Sequence, residues 1–214
     1  MIKILLADDH EVIRAGLKEY LRKTMPDAVI EETGDGDTTF EKIKRNDYAL
    51  IILDINMPDT DSFGLVSNIL ALKPRSGILI FSMNPEEIYA RKYLKLGALG
   101  YLNKEASIDE VRKAVENVID HKKYLSPSLT QQLLDHALTG KTNNNNPFDE
   151  LSPRELEITR HLLKGESLST IGSSLHLHTS TVGTHKARIF RKLHCKNNME
   201  VLGLARLHHF IQPN

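Results

Sequence analysis

Asp54 closes an apolar run, Ala49-Leu50-Ile51-Ile52-Leu53, and is followed at once by Ile55-Asn56-Met57-Pro58. A carboxylate at the C-terminal end of a buried strand stands where open α/β sheets bind ligands and do chemistry. A second such run, Ile2-Lys3-Ile4-Leu5-Leu6-Ala7, ends in Asp8-Asp9. If the two strands are parallel neighbours, three carboxylates converge at one mouth, where they raise one another's pKa or draw in a cation. Hard oxygen ligands with room for water suit Mg²⁺. An aspartate held beside such a cation in an open pocket is a fit acceptor for a phosphoryl group.

The elements that must position these groups are readable from periodicity. Short apolar stretches at 2–7, 28–33, 49–54, 77–82 and 99–102 alternate with helical patterns at 11–25, 36–46, 63–72, 86–96 and 108–121. Ile13, Leu17 and Leu21 mark one buried helix face; Ile108, Val111, Val115, Val118 and Ile119 mark another. Strict βα alternation predicts a doubly wound α/β domain, a parallel sheet covered by helices on both faces. After Tyr124 the pattern changes. Ser126-Pro127 opens a short helical stretch with Leu129, Leu133, Leu134 and Leu138 apolar. Thr139-Gly140-Lys141-Thr142 and the run Asn143 to Asn146 before Pro147 then read as a flexible connection. From Leu151 onward only helical patterns remain, at 153–163, 167–175, 179–194 and 198–210. Ser152-Pro153-Arg154-Glu155 supplies an N-cap, a first-turn proline and a capping-box glutamate. Leu175-His176-Leu177-His178 joins two of these helices as a helix-turn-helix candidate. The expected division is 1–121, a connection with a short helix over 122–147, and a small all-α domain over 148–214.

Bulk properties agree with a two-domain globular chain. Of the 214 residues 40% are hydrophobic and 26% charged, ordinary values that exclude a collagen-like or low-complexity protein. No apolar run is long enough for a membrane helix, and Met1-Ile2-Lys3 enters strand pattern with no signal peptide. The single Cys195 makes no internal disulfide, fits a reducing cytoplasm and reads as a space-filler at a helix end. The net charge of zero hides an asymmetry: residues 1–140 carry 18 basic against 22 acidic side chains, residues 148–214 carry 9 against 6 and 7 of the 10 histidines. Nucleic acid is thereby a candidate partner for the second part. His176/His178 and His208/His209 lack the convergent spacing of a metal site.

Asp8-Asp9-His10 after the first strand, Asp54 after the third, Ser82 after the fourth and Lys104 after the fifth resemble the receiver domain of two-component response regulators, over residues 1 to about 121. A lone aspartate at a strand end is more often a helix cap; the ordered set is far less common. The resemblance implies a flavodoxin-like fold with Asp54 as phosphoacceptor from a sensor histidine kinase. It implies Mg²⁺ held by Asp9, Asp54 and the backbone carbonyl of Asn56, with Asp8 acting through water. It implies that Lys104 neutralises a phosphoryl oxygen. Ser82 swings to the phosphate and leaves space into which Tyr101 turns, changing the surface beside the fifth strand. Relatives place glycine about eight residues after the phosphoacceptor. Here Asp59-Thr60-Asp61-Ser62-Phe63 precedes Gly64, which predicts a loop two residues longer.

Residues 149–211 resemble the LuxR-type DNA-binding domain, which makes the whole chain similar to the NarL/FixJ class. Leu151-Ser152-Pro153-Arg154-Glu155 fits the opening motif, Ile171-Gly172-Ser173-Ser174-Leu175 the positioning helix, and Thr181-Val182-Gly183-Thr184-His185 with Arg188-Ile189 and Lys192-Leu193 the recognition helix. A helical projection puts Val182, Ile189 and Leu193 on the core side and Ser180, Thr184, Ala187 and Arg191 opposite, with Arg188 on a flank. Methyl groups of Thr and Ala can meet thymine and Arg can read guanine; Thr179, Thr181, Lys186 and Lys192 are the expected phosphate contacts. Relatives often carry Ser or Asp at His178 and Lys at Gly183. Glycine inside a helix costs about 1 kcal/mol relative to alanine. The last helix, from Met199, is one that relatives often use to dimerise.

The expected function is a phosphorylation-dependent, DNA-binding transcription regulator. It works in the cytoplasm as a homodimer on double-stranded DNA with half-sites about one helical turn apart, not as an enzyme beyond self-phosphorylation and autodephosphorylation at Asp54. Two rivals remain open. A dehalogenase-type phosphatase also uses a strand-end aspartate but needs a second aspartate two residues on, where Asn56 stands. A protein-interaction module with a degenerate helical domain would lack salt-dependent DNA binding.

Overall fold

The computed structural model describes residues 2–131, 134, 146–208 and 210. The chain divides into two compact units, Met1–Thr130 and Gln131–Asn214.

In the first unit the elements run β1 (Lys3–Ala7), α1 (Glu11–Thr24), β2 (Val29–Thr33), α2 (Gly36–Arg45), β3 (Leu50–Leu53), α3 (Ser62–Leu72), β4 (Gly77–Ser82), α4 (Glu86–Leu96), β5 (Gly100–Asn103) and α5 (Ile108–Ile119). The sheet is parallel throughout in the order β2-β1-β3-β4-β5, the flavodoxin-like doubly wound arrangement. Every expected strand and helix is present, with ends shifted by a few residues. β3 and β4 are buried along their whole length, which is why they read as unbroken apolar runs: a central parallel strand is covered on both faces. Leu50, Ile52, Leu79 and Phe81 pack in one cluster with Leu17 and Leu21 of α1 and Val111, Val115 and Val118 of α5. Strand alternation turns Ile51, Leu53, Ile78 and Ile80 to the opposite face. The helices stop and start on local signals. Asp35 caps α2 through Thr38 N, Asp61 caps α3 through Gly64 N, and Ser107 with Glu110 forms a capping box on α5. Gly97 ends α4 at φ 118°, a conformation that disfavours any side chain.

The segment after α5 does not leave the first unit at once. Tyr124 bridges to Gly100 beside β5, and Tyr124, Ser126 and Leu129 are buried. The Ser126 hydroxyl donates to Glu86 Oε2 at 2.7 Å and accepts from Leu129 N at 3.1 Å, capping a helical turn over 127–131. Leu134 is half exposed. Leu133, Leu138 and the asparagines 143–145 lie outside the described residues.

The second unit is all-helical: a 3-10 turn (Pro147–Glu150), then α6 (Pro153–Leu163), α7 (Leu168–Ser174), α8 (Thr179–Lys192) and α9 (Asn198–Leu207). The expected capping box of Ser152 and Glu155 forms, with Pro153 in the first turn. Phe148 stacks on Phe210 with ring centroids 4.3 Å apart, over a core that includes Leu156, Ile158, Ile171, Val182, Ile189 and Val201. At the helix-turn-helix, α7 and α8 are joined by residues 175–178. A Cβ on Gly172 would stand 2.7 Å from the Leu177 carbonyl oxygen, so this turn closes only over glycine. Arg154 fastens the same turn: its guanidinium pairs with buried Glu157 at 2.8 Å and donates to the Leu175 carbonyl at 2.5 Å.

Glu155 is almost fully buried and accepts from Lys192 Nζ at 2.6 Å. Burial alone would raise its carboxyl, but the bonds from Lys192 and Ser152 outweigh it and hold the group below the usual glutamate range. Glu155→Gln keeps a capping-box side chain and removes the charge. It should destabilise the protein by about 1–2 kcal/mol at pH 7, less than a fully buried pair because Lys192 is partly exposed. A depressed carboxyl contributes stability that is complete above its ordinary value of 4.5 and is lost as pH falls through the lower folded-state value. Thermal melts of the two proteins should therefore converge in acid, and a gap that persists unchanged would contradict the ion pair's role.

Candidate functional site

The carboxyl edge of the sheet gathers its residues by extending the ladder one step past the strands. Asp8 N donates to Thr33 O at 3.1 Å, Asp54 N to Ala7 O at 2.7 Å and Lys104 N to Ser82 O at 3.0 Å. β1 and β3 are neighbours at the point where strand order reverses, the position at which open α/β sheets place ligands. Lys104 Nζ lies 2.7 Å from Asp8 Oδ2 and 2.9 Å from Asp54 Oδ2, all three side chains being at most 5% exposed. Burial pushes the Asp54 carboxyl up, opposed by the Lys104 ammonium. For Lys104 burial acts downward, and the bonds and charges of Asp8 and Asp54 overcome it and hold the ammonium above its usual value.

Asp8, Asp9, His10 and Asp54 each bring one ligand atom within 4.8 Å of the others. The donors for these oxygens are few. Asp9 Oδ1 and Asp8 Oδ2 are shut from solvent and accept no hydrogen bond of good geometry. Asp9 Oδ1 lies 2.8 Å from His10 Nδ1 and Asp8 Oδ2 lies 2.7 Å from Lys104 Nζ. Carboxylate oxygens crowded in this way suit a hard divalent cation, so the donor set fits the metal that the sequence implies. Asp54 Oδ1 accepts from Asn56 N at 3.0 Å, which turns the start of the following loop across the mouth.

Ser82 and Tyr101 belong to one hydrogen-bonded group with two asparagines. Asn56 Nδ2 and Asn84 N both donate to Ser82 Oγ at 3.2 Å, and Asn84 Nδ2 donates to Asn56 Oδ1 at 3.0 Å. Tyr101 is fully buried, its hydroxyl donating to the Asn84 carbonyl at 2.9 Å. The ring thus already occupies the interior. Asn84 escapes a reading of strand ends, although a clue exists: Asn56 and Asn84 each stand two residues after a strand-end site residue. Arg14 is a second unforeseen member, its Nη1 donating to Asp8 O at 2.6 Å.

The loop after Asp54 corrects one expectation. α3 begins at Ser62 with Asp61 as its cap, so the eighth residue after Asp54 is the first of the helix and Gly64 lies inside it. The loop is not extended; Ser62 takes glycine's place. Its hydroxyl is buried 2.8 Å from that of Tyr93, and the neighbouring Phe63 ring stacks on Tyr93 at 4.2 Å, so the substituted position is filled from α4.

In the second unit Thr179, Ser180, Thr184, Ala187, Arg188 and Arg191 are exposed on α8, while Val182, Ile189 and Leu193 are buried, the two faces that the projection separates. Thr181 is half-buried. Lys186 Nζ lies 5.3 Å from the centre of the Phe190 ring. Lys192 is committed within the unit, to Glu155 Oε2 and to the Glu150 carbonyl at 3.0 Å, which argues against the phosphate contact expected of it. His178 makes no capping bond to α8, and a Cβ on Gly183 would meet nothing within 4 Å.

Comparison with known proteins follows the same division. Residues 4–116 match the response regulator receiver domain, and residues 149–205 match the luxR family of bacterial regulatory proteins. The oxygen regulatory protein NreC of Staphylococcus carnosus is 34% identical over 210 residues, covering 95% of this chain and 96% of the relative. The response regulator UvrY of Escherichia coli is 30% identical over 209 residues, covering 97% and 95%. Among solved structures, RcsB from Salmonella enterica serovar Typhimurium, bound to promoter P1flhDC in the presence of phosphomimetic BeF3-, superposes with a TM-score of 0.76 at 21% identity, covering 96% of this chain and 98% of that one. The chain belongs to the two-component response regulators, with a receiver domain followed by a LuxR-type DNA-binding domain.

Proposed function

We propose that Asp54 takes a phosphoryl group from the phosphohistidine of a sensor kinase, and that the modified receiver controls binding of a homodimer to a two-fold site on double-stranded DNA in the cytoplasm. The observation that carries this reading is the buried Lys104 ammonium set between Asp8 and Asp54 at the switch point of the sheet. An Asp54 carboxylate oxygen forms the new O–P bond as the N–P bond of the donor breaks. Lys104, freed from one carboxylate charge as Asp54 is esterified, pairs with a phosphoryl oxygen. Ser82 accepts two bonds from Asn56 and Asn84 and keeps its own proton for another phosphoryl oxygen. Asp8, Asp9, Asp54 and the backbone carbonyl of Asn56 would hold Mg²⁺, which when bound supplies positive charge against the growing charge on the phosphoryl group. Hydrolysis of the acyl phosphate at the same site resets the switch.

Residues 1–121 form the receiver in this reading, 148–214 the DNA-binding domain and 122–147 the joint. On α8 the bases are read by Ser180, Thr184, Ala187, Arg188 and Arg191, and phosphates are met by Thr179, Thr181 and Lys186.

Two measurements test the two halves separately. Intact-protein mass after incubation with a small-molecule phosphodonor should show one phosphoryl adduct that requires both Mg²⁺ and Asp54, absent from Asp54→Asn. An adduct of equal yield in Asp54→Asn would remove Asp54 from the chemistry. Arg191→Ala should weaken binding to a selected operator by about 1–3 kcal/mol and relax the preference at one base position. A uniform loss across unrelated sequences, with a shallower salt slope, would make Arg191 a phosphate contact instead.

A further inference from the structure

The recognition face of α8 carries a chemical message about the DNA that it fits. Its outward residues in axial order are Ser180, Gly183, Thr184, Ala187, Arg188 and Arg191. The middle of this face has lost its polar groups. The Thr184 hydroxyl donates to the Ser180 carbonyl at 3.0 Å, one helical turn back. That bond turns the hydroxyl back onto the helix's own backbone and leaves the methyl as the group not held by it. Ala187 is exposed and offers a methyl only. Gly183 offers no side chain, and the space where its Cβ would stand is open. Lys186 and Lys192, which could have supplied charge here, lie toward the core side, against Phe190 and Glu155. Charge is confined to the C-terminal end, where Arg188 and Arg191 are exposed and form no ion pair among the described residues.

We propose that the centre of each half-site is read by methyl groups alone, Thr184 and Ala187 against thymine 5-methyls on neighbouring base pairs, with a guanine toward one side read by Arg188 or Arg191. The inference rests on the DNA-binding reading above and names the base class that this chain selects. It follows from the groove itself: every base pair presents polar groups in the major groove, and thymine alone adds a methyl beside its O4 acceptor. A methyl surface forms no hydrogen bond with any base pair, so the desolvation it imposes is offset by apolar contact only where a thymine methyl stands opposite it. Thr184 and Ala187 are about 4.5 Å apart along the helix axis, a separation suited to adjacent base pairs.

The test is selection of duplexes from a random pool by the full chain treated with phosphodonor, followed by replacement of central thymines with deoxyuridine, which deletes only the 5-methyl. Selected half-sites should carry thymine at the centre, and each deoxyuridine should weaken binding about fourfold, the worth of one buried carbon. Thr184→Val, which keeps a methyl, should retain sensitivity to deoxyuridine. Thr184→Ser, which keeps the hydroxyl and loses the methyl, should bind the thymine duplex more weakly and become indifferent to deoxyuridine at one position. Selected sites without central thymine, or equal affinity for the deoxyuridine duplex, would overturn the inference while leaving DNA binding intact. Retention of no duplex at all by the wild-type chain, at low salt as well, would overturn the DNA-binding reading and this inference with it.

Discussion

A buried lysine held between two aspartates sets the terms for the receiver. Lys104, Asp8 and Asp54 are all buried, and an unpaired charge in such a place costs several kcal/mol. The three must therefore arrive together. Lys104 follows β5 and Asp54 follows β3, so β4 lies between them, and neighbouring strands are about 4.8 Å apart. The Lys104 side chain spans that width to reach Asp54 Oδ2. Strand order and the length of lysine form one constraint. The same packing makes the site responsive: adding charge to Asp54 or removing it unbalances the set, and Asn56, Ser82 and Asn84 are the polar groups nearest to the change.

From that set the bonding runs outward in two directions. Asn84 joins Asn56 and Ser82 to the buried hydroxyl of Tyr101. Two residues further on, Glu86 takes the hydroxyl bond of Ser126 at the start of the segment beyond α5. The loop after Asp54, the buried Tyr101 and the outgoing chain thus meet at residues 82–86. On the other side of α4, Tyr93 ties the helix to the first turn of α3 through Ser62 and Phe63. α4 is held at its start by polar bonds and along its length by an aromatic stack.

Most of this frame is legible in the sequence because its determinants are local. Asp8, Asp54, Ser82 and Lys104 each end an apolar run, and a run that is buried on both faces cannot hide in periodicity. Ser152 and Glu155 announce α6 in the same way. The rest depends on residues far apart in the chain. Nothing near Ser62 reveals that Tyr93 fills the space beside it, so a glycine replaced at one position resembles a loop lengthened by two. Lys192 reads as a groove-side cation because it sits on a basic helix; its partner Glu155 is 37 residues away. The packing of Tyr124, Ser126 and Leu129 on the first unit is likewise concealed by their position after the last regular helix, where composition signals only a change of pattern.

Gly172 gives the helix-turn-helix a dependence that no contact with DNA would reveal. Its missing side chain is what permits the Leu177 carbonyl to approach, and that carbonyl lies in the turn from which α8 departs. The fourteen residues of α8 form a lever about 20 Å long, pivoted at this turn and steadied by Arg154 on Leu175. A single added carbon at the pivot displaces the far end most, where Arg191 stands. The direction of α8 is therefore set at a residue outside that helix, and is calibrated by an absence of atoms behind it.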